Sequence, residues 1–153
     1  MAIETEAYVL RVHPMGESDR IVVLLSPREG KLRGVARHAA LSRRRFGGSL
    51  SFLSQVRVRF VLKPGRDLVG LESCELVAPT PGEGRDLQAF YVCAYLAEIL
   101  DHFSHEGQAD ESLYRLTRAV CQALSAGGSP VAMARYFEVW TLRLAGLLPA
   151  LQG

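Results

Sequence analysis

The chain has 153 residues, of which 48% are hydrophobic and 22% are charged, and its formal net charge is +2. This length is enough to bury a core, and it predicts one domain or two small ones. The longest uninterrupted apolar run, Ala89–Ala97, is too short for a membrane-spanning helix, and the pattern of residues 1–4 is not that of a signal peptide.

The charge is divided unevenly along the chain. Residues 1–79 hold 13 Lys and Arg against 8 Asp and Glu, whereas residues 80–153 hold 5 against 8. A basic first half favours a polyanionic partner. Of the 18 basic residues, all but Lys31 and Lys63 are arginine. This bias suits phosphate binding, but codon usage in a GC-rich genome would produce it as well.

The residues that carry catalysis or bind metal in other proteins do not form a recognisable pattern here. The cysteines at 74, 93 and 121 form no CxxC pair and suit burial in a reducing cytosol. His102 and His105 are expected to lie at a solvated helix end rather than in a metal site. No phosphate loop and no nucleophile with a neighbouring base occurs. The sequence therefore predicts a protein that is not an enzyme and has no cofactor, metal or small-molecule substrate.

The first half is predicted to form five short strands separated by turns rich in Gly and Pro. The fourth has the clearest pattern, because Val56, Val58, Phe60 and Leu62 alternate with Arg57, Arg59 and Lys63. This period of two predicts a half-buried antiparallel strand with a basic outer face. Five strands within about 75 residues favour the oligonucleotide-binding (OB) barrel. The predicted strands are Glu4–Val12, Asp19–Ser26, Lys31–Ala36, Gln55–Lys63 and Asp67–Leu76.

A Pro- and Gly-rich linker at 80–84 precedes a segment with helical periodicity. We predict a first helix over 86–102, apolar nearly all round, and a second that Asp110 caps and Gly127 ends. Ser129 and Pro130 begin a third helix. Its predicted apolar stripe is Met133, Tyr136, Phe137, Trp140 and Leu144. The fold class is therefore α+β, with a five-stranded OB-fold barrel over 1–79 and a helical domain over 85–153.

The connection between the third and fourth strands is strongly basic. Arg37–Gly48 carries four arginines and a histidine and ends in a Gly pair. Such a loop can follow a phosphate backbone and displace its counterions, although charge runs are often only solvated. Phe46 could stack on a base or pack in the core, and Phe52 favours the core.

Several segments together resemble the RecO family of bacterial repair proteins. The segments, in chain order, are Tyr8–Arg11, Gly16–Val22, Gly30–Arg37, Arg45–Leu50, Tyr95–Asp101, and Arg135–Glu138 through Pro149. The resemblance covers essentially the whole chain. It departs at His38, where the family usually has a small residue. Many relatives also continue beyond the equivalent of Gly153 into a cysteine zinc motif and further helices, so we expect a truncated helical domain here.

The resemblance implies a bacterial cytoplasmic, nucleoid-associated protein without catalytic activity. It would bind single- and double-stranded DNA, anneal complementary strands, and load recombinase together with RecR and the single-strand DNA-binding protein. From charge and position, the candidate DNA contacts are Arg11, Arg20, Lys31, Arg33, Arg37, Arg43, Arg44, Arg45, Arg57 and Arg59. Two alternatives stay open, an RNA-binding OB module and a protein-interaction scaffold whose basic surface is incidental.

Overall fold

The computed structural model describes residues 2–39, 46, 50–65 and 67–147. Five strands come first and three helices follow. Their bounds are β1 Ala2–Met15, β2 Asp19–Ser26, β3 Gly30–Ala36, β4 Gln55–Val61, β5 Val69–Ala78, α1 Leu87–Phe103, α2 Glu111–Ser125 and α3 Pro130–Leu144. None of the helices in these ranges is long and apolar enough to cross a membrane.

The five strands close into a barrel in the order β1-β2-β3-β5-β4. The first half of β1 pairs with β4 and its second half with β2, both antiparallel. The β3–β5 pair is parallel and runs from Gly34–Val69 to Ala36–Leu71. This order, closed by the long and shared first strand, is the predicted OB-fold.

The barrel interior is filled by alternate residues of each strand. On β4, Val56, Val58 and Phe60 are fully buried while Arg57 and Arg59 face outward. The predicted inward position of Leu62 is wrong, because β4 ends at Val61 and Leu62 is 52% exposed. Phe46 packs in this core at 2% exposure, which decides between the two roles predicted for it.

A second core lies between the outside of the barrel and the helices. It contains Tyr8 and Leu10 of β1 and Val23 and Leu25 of β2, packed against α1 and α2. Strands β1 and β2 are therefore apolar on both faces, since one face fills the barrel and the other is covered by helices. Burial raises the pKa of the Tyr8 phenol above its ordinary value of 10.0, and it raises the pKa of the Cys93 thiol on α1 to about 12.

Helices α2 and α3 begin at the predicted caps, Asp110 and Ser129, and α1 begins one residue later than predicted, with Asp86 as its N-cap. Asp86, Asp110 and Ser129 each accept a hydrogen bond from the backbone N–H three residues ahead, as N-cap side chains do. The stripe predicted on α3 is only partly buried. Phe137 is fully buried, but Tyr136, Trp140 and Leu144 are 46%, 37% and 44% exposed. In the described chain, α3 packs on α1 and α2 along one side only, so its apolar faces exceed the surface available to cover them.

The helical domain is joined to the barrel by backbone as well as side-chain contacts. The Lys31 N–H donates to the His105 carbonyl, 3.1 Å between N and O, and the Gly107 N–H donates to the Lys31 carbonyl at 3.2 Å. Gly30 has a φ of 65°, and a Cβ there would lie 2.0 Å from the Gln108 carbonyl oxygen. The start of β3 therefore fits against the α1–α2 connection only because residue 30 is glycine.

Candidate nucleic-acid interface

The outer face of β3, β5 and β4 carries cations around an apolar centre. The register places Val35 of β3 beside Gly70 of β5, and Gly70 beside Val61 of β4. Because side chains two residues apart share a face of a strand, Arg33 shares the face of Val35, and Arg59 shares that of Val61. Arg37 and Lys63 follow directly after the ends of β3 and β4. Four cations thus lie near one region of the barrel surface.

This region forms a groove of about 660 Å³. We call it the outer groove. It is lined by Val35, Arg37, His38, Val61, Lys63, Asp67, Leu68, Val69, Gly70, Leu71 and Glu72. Its volume lies within the range of about 300–1,000 Å³ that ligand sites occupy. Aliphatic walls, a glycine floor and charged ends are its main features.

Most of the barrel cations are already paired with carboxylates. The Nε of Arg59 lies 2.9 Å from the Oε2 of Glu72, which is hydrogen-bond distance. Looser pairs, with N–O distances of 3.7–4.0 Å, link Arg33 to Glu106, Arg37 to Asp19, and Arg57 to Glu6 and Glu75. Exposed pairs of this kind contribute only about 0–1 kcal/mol, so a phosphate can replace the carboxylate at small cost. Lys63 forms no ion pair with a carboxylate of the described residues.

Two of the candidate cations lie elsewhere, at the junction between the barrel and α1. The ammonium group of Lys31 donates to the Asp101 carbonyl at 2.7 Å and lies 3.2 Å from its carboxylate. Arg11 lies 3.6 Å from the other oxygen of the same carboxylate. The Lys31 side chain is only 16% exposed. Its position therefore gives it a role in fixing α1 on the barrel, whereas Arg11 stays largely open to solvent.

Asp19, the first residue of β2, fixes the start of the basic loop. Its carboxylate accepts the backbone N–H of His38 at 2.8 Å and lies 3.8 Å from Arg37. His38 has a φ of 58°, a conformation uncommon outside glycine. The neighbouring Arg20 donates to the Asp19 carbonyl at 2.8 Å. The first residues of β2 thus set the direction in which the chain leaves β3.

The ten predicted contacts therefore divide into separate groups. Arg37 lines the outer groove, and Arg59 is paired with Glu72 of its lining. Arg33 lies two residues before Val35 on β3, and Arg20 is close to the groove through Asp19. Arg57 lies further along β4, and Arg11 and Lys31 lie at the junction with α1. Arg43, Arg44 and Arg45 lie outside the described residues. Lys63 lines the groove and was missed as a candidate contact, although the sequence analysis placed it on the basic face of the predicted fourth strand.

The strand order of the barrel, the helices that follow it and its basic outer face together define an OB-fold protein with a helical extension. Family profiles are consistent with this description. The profile described as "Recombination protein O N terminal" matches residues 1–80, and that described as "Recombination protein O C terminal" matches residues 84–153. The chain belongs to the RecO family.

Curated relatives match along nearly the whole chain. The DNA repair protein RecO of Koribacter versatilis is 37% identical over 151 residues, which are 99% of this chain and 62% of that protein. The protein of the same name from Anaeromyxobacter sp. strain K is 37% identical over 149 residues, 97% of this chain and 59% of that protein. The protein of the same name from Geobacter metallireducens is 36% identical over 142 residues, which are 93% of this chain and 57% of that protein. The chain thus spans about 60% of the length of these relatives.

Proposed function

We propose that this chain binds DNA through the outer groove and the adjoining basic loop, and acts as a non-enzymatic mediator of recombinational repair. The observation that carries the proposal is a groove on an OB barrel that Arg37 and Lys63 line, with Arg33 and Arg59 exposed on the adjoining strands. Proteins named DNA repair protein RecO, to which the chain is similar, support the biological setting. In that setting the chain would anneal strands and load recombinase with RecR and the single-strand DNA-binding protein, in the bacterial cytoplasm.

The proposed binding is electrostatic and indifferent to sequence. Arg33, Arg37 and Arg59 are 43–60% exposed, and guanidinium groups bind phosphate with paired donors. Each cation that neutralises a phosphate releases counterions, so affinity should fall with salt. In this proposal the barrel provides the DNA-binding unit, and the helical domain offers its exposed apolar faces to a partner protein.

The test is fluorescence anisotropy with a labelled single-stranded oligonucleotide at several salt concentrations. Replacing Arg37 or Arg59 singly with Glu should weaken binding, and each lost phosphate contact should flatten the slope of log K against log salt by about 0.7. Arg135→Glu on α3 is the control, since it makes the same charge change in the helical domain. Equal losses in the control and the groove variants would count against the proposed interface.

The loop has its own test. Arg43, Arg44 and Arg45 replaced together by Glu should lower affinity and flatten the slope further; an unchanged slope in a folded variant would exclude the loop. Oligonucleotides of equal length and unrelated sequence should bind within about tenfold of one another, or about 1.4 kcal/mol. Competition with RNA and duplex DNA separates this function from an RNA-binding module. A scaffold would show no salt-dependent binding at all.

A further inference from the structure

Gly70 lies at the centre of the outer groove, and nothing in the packing of the described residues requires glycine at this position. Glycine inside a strand is destabilising and often marks a place where a ligand approaches the backbone. Gly34, on the neighbouring strand, is explained by packing, since a Cβ there would lie 2.5 Å from the Leu71 side chain. A Cβ on Gly70 would meet only the flexible end of Lys63, at 3.2 Å from its Cε. Gly70 also lacks the positive φ that would demand glycine.

The missing side chain leaves a flat strip of backbone between two aliphatic walls. Val35 and Val61 flank Gly70 on the adjacent strands, and neighbouring strands lie about 4.8 Å apart. The two valines are therefore about two strand spacings apart, with main chain between them and the flexible end of the Lys63 side chain above it. A planar ring can lie flat on this strip once that end moves aside, in contact with the peptide groups below and the aliphatic side chains on either side.

The charges around the strip indicate which ring would occupy it. Arg37 and Lys63 both line the groove, on the opposite sides formed by β3 and β4. An apolar, ring-sized floor with cations on both sides matches a nucleotide, which joins a planar base to phosphates on both sides. Asp67 and Glu72 also line the groove, and their charges offset those of Arg37 and Lys63. Binding at the groove therefore needs contact with the base in addition to contact with the phosphates.

We infer that the outer groove holds one unstacked base of a single DNA strand on Gly70, between Val35 and Val61, with the flanking phosphates at Arg37 and Lys63. This inference rests on the proposed DNA-binding function and deepens it. In a duplex the bases are paired and stacked, so none can enter without being extruded from the helix. The groove therefore favours single strands over duplexes of the same charge, and it does so without reading base edges.

The experiment compares three labelled ligands of equal length with the full chain: a thymidine oligonucleotide, an abasic strand with the same backbone, and a duplex. The unaltered chain should bind the thymidine strand about fivefold more tightly than the abasic strand, which is the low end of what stacking one base on an aromatic side chain contributes, because the base here contacts peptide groups and valines. Gly70→Val fills the groove without changing charge. It should abolish this difference. Because the new side chain meets the end of Lys63, affinity for the abasic strand is measured separately, and only the ratio between the two strands tests the base contact. Ala132→Val, an exposed position on α3, is the control.

Each outcome bears on the inference separately from the proposed function. Equal affinity of the unaltered chain for the thymidine and abasic strands would overturn the base contact while leaving backbone binding intact. So would a Gly70→Val variant that still distinguishes them. No salt-dependent binding of any of the three ligands would refute the proposed function itself. Circular dichroism checks that Gly70→Val is folded; if it is not, Gly70→Ala, whose Cβ meets only Lys63, should halve the preference or more.

Discussion

Gly30 provides a quantitative test of how the helical domain is held on the barrel. Replacing it with Ala places a Cβ 2.0 Å from the Gln108 carbonyl oxygen and 2.9 Å from the His105 carbonyl oxygen. Both contacts are with backbone, so the α1–α2 connection must move away from β3. The two backbone hydrogen bonds that join Lys31 to His105 and Gly107 would then be lost.

The expected loss of unfolding free energy has two parts. The left-handed conformation at a φ of 65° costs a non-glycine residue about 1–2 kcal/mol. Two backbone hydrogen bonds contribute about 0.5–1.5 kcal/mol each. Gly30→Ala should therefore lose about 2–5 kcal/mol, a large share of the ~5–15 kcal/mol that typically stabilises a protein.

Gly16 is the matched control. It has a φ of 68°, but a Cβ there meets nothing within 4 Å, so Gly16→Ala should lose only the conformational part, about 1–2 kcal/mol. The assay is urea unfolding, followed by circular dichroism and by fluorescence of Trp140, the single tryptophan. Losses equal within ~0.5 kcal/mol in the two variants would refute the reasoning, because the close approach at Gly30 would then contribute nothing.

Four further results are expected. Burial raises the pKa of Tyr8 above 10.0, so the native state holds this proton more tightly than the unfolded chain. The free energy of unfolding should therefore fall as pH rises above about 10, by up to ~1.4 kcal/mol per pH unit. Tyr8→Phe should flatten that fall in alkaline unfolding curves. The Cys93 thiol, with its pKa raised to about 12 by burial, should react with a disulfide reagent at pH 8 only as fast as the protein unfolds, and rapid labelling of the native chain would contradict its burial. Glu72→Gln removes the partner of Arg59 and should tighten oligonucleotide binding and steepen its salt dependence by about 0.7, whereas unchanged binding in titrations would place Arg59 outside the interface. The exposed face around Trp140 should bind a hydrophobic dye and cause concentration-dependent self-association, which a monomer in sedimentation across a hundredfold concentration range would rule out.

The sequence predicted the barrel well where one face of a strand is polar. On β4 the alternation of valine and arginine identified both faces, and it failed only at Leu62, where the strand had already ended. On β2 the run Val22–Leu25 shows no alternation, because helices cover its outer face. Which helix covers it depends on tertiary packing, and local periodicity carries no information about that.

The candidate site was less predictable, because counting charged residues does not show which of them form ion pairs with one another. Arg59 and Glu72 are paired through the register of β4 and β5, and Lys31 and Asp101 are 70 positions apart in the chain. Nothing local distinguishes Lys31, largely buried against α1, from Lys63, which lines the outer groove. The same holds for α3, because the sequence showed its apolar stripe but did not show which elements pack against it.

The contact between β3 and the α1–α2 connection has a consequence for work on isolated domains. On one side β3 pairs with β2 throughout, but on the other it pairs with β5 only from Gly34 onward. Glu106 and Gly107 pair with its first two residues instead. A barrel cut off after residue 79 would expose these groups as an open strand edge, a template for pairing between chains. Poor solubility or lost DNA binding in such a fragment would then reflect an uncapped sheet, and it would not locate the binding site in the helices.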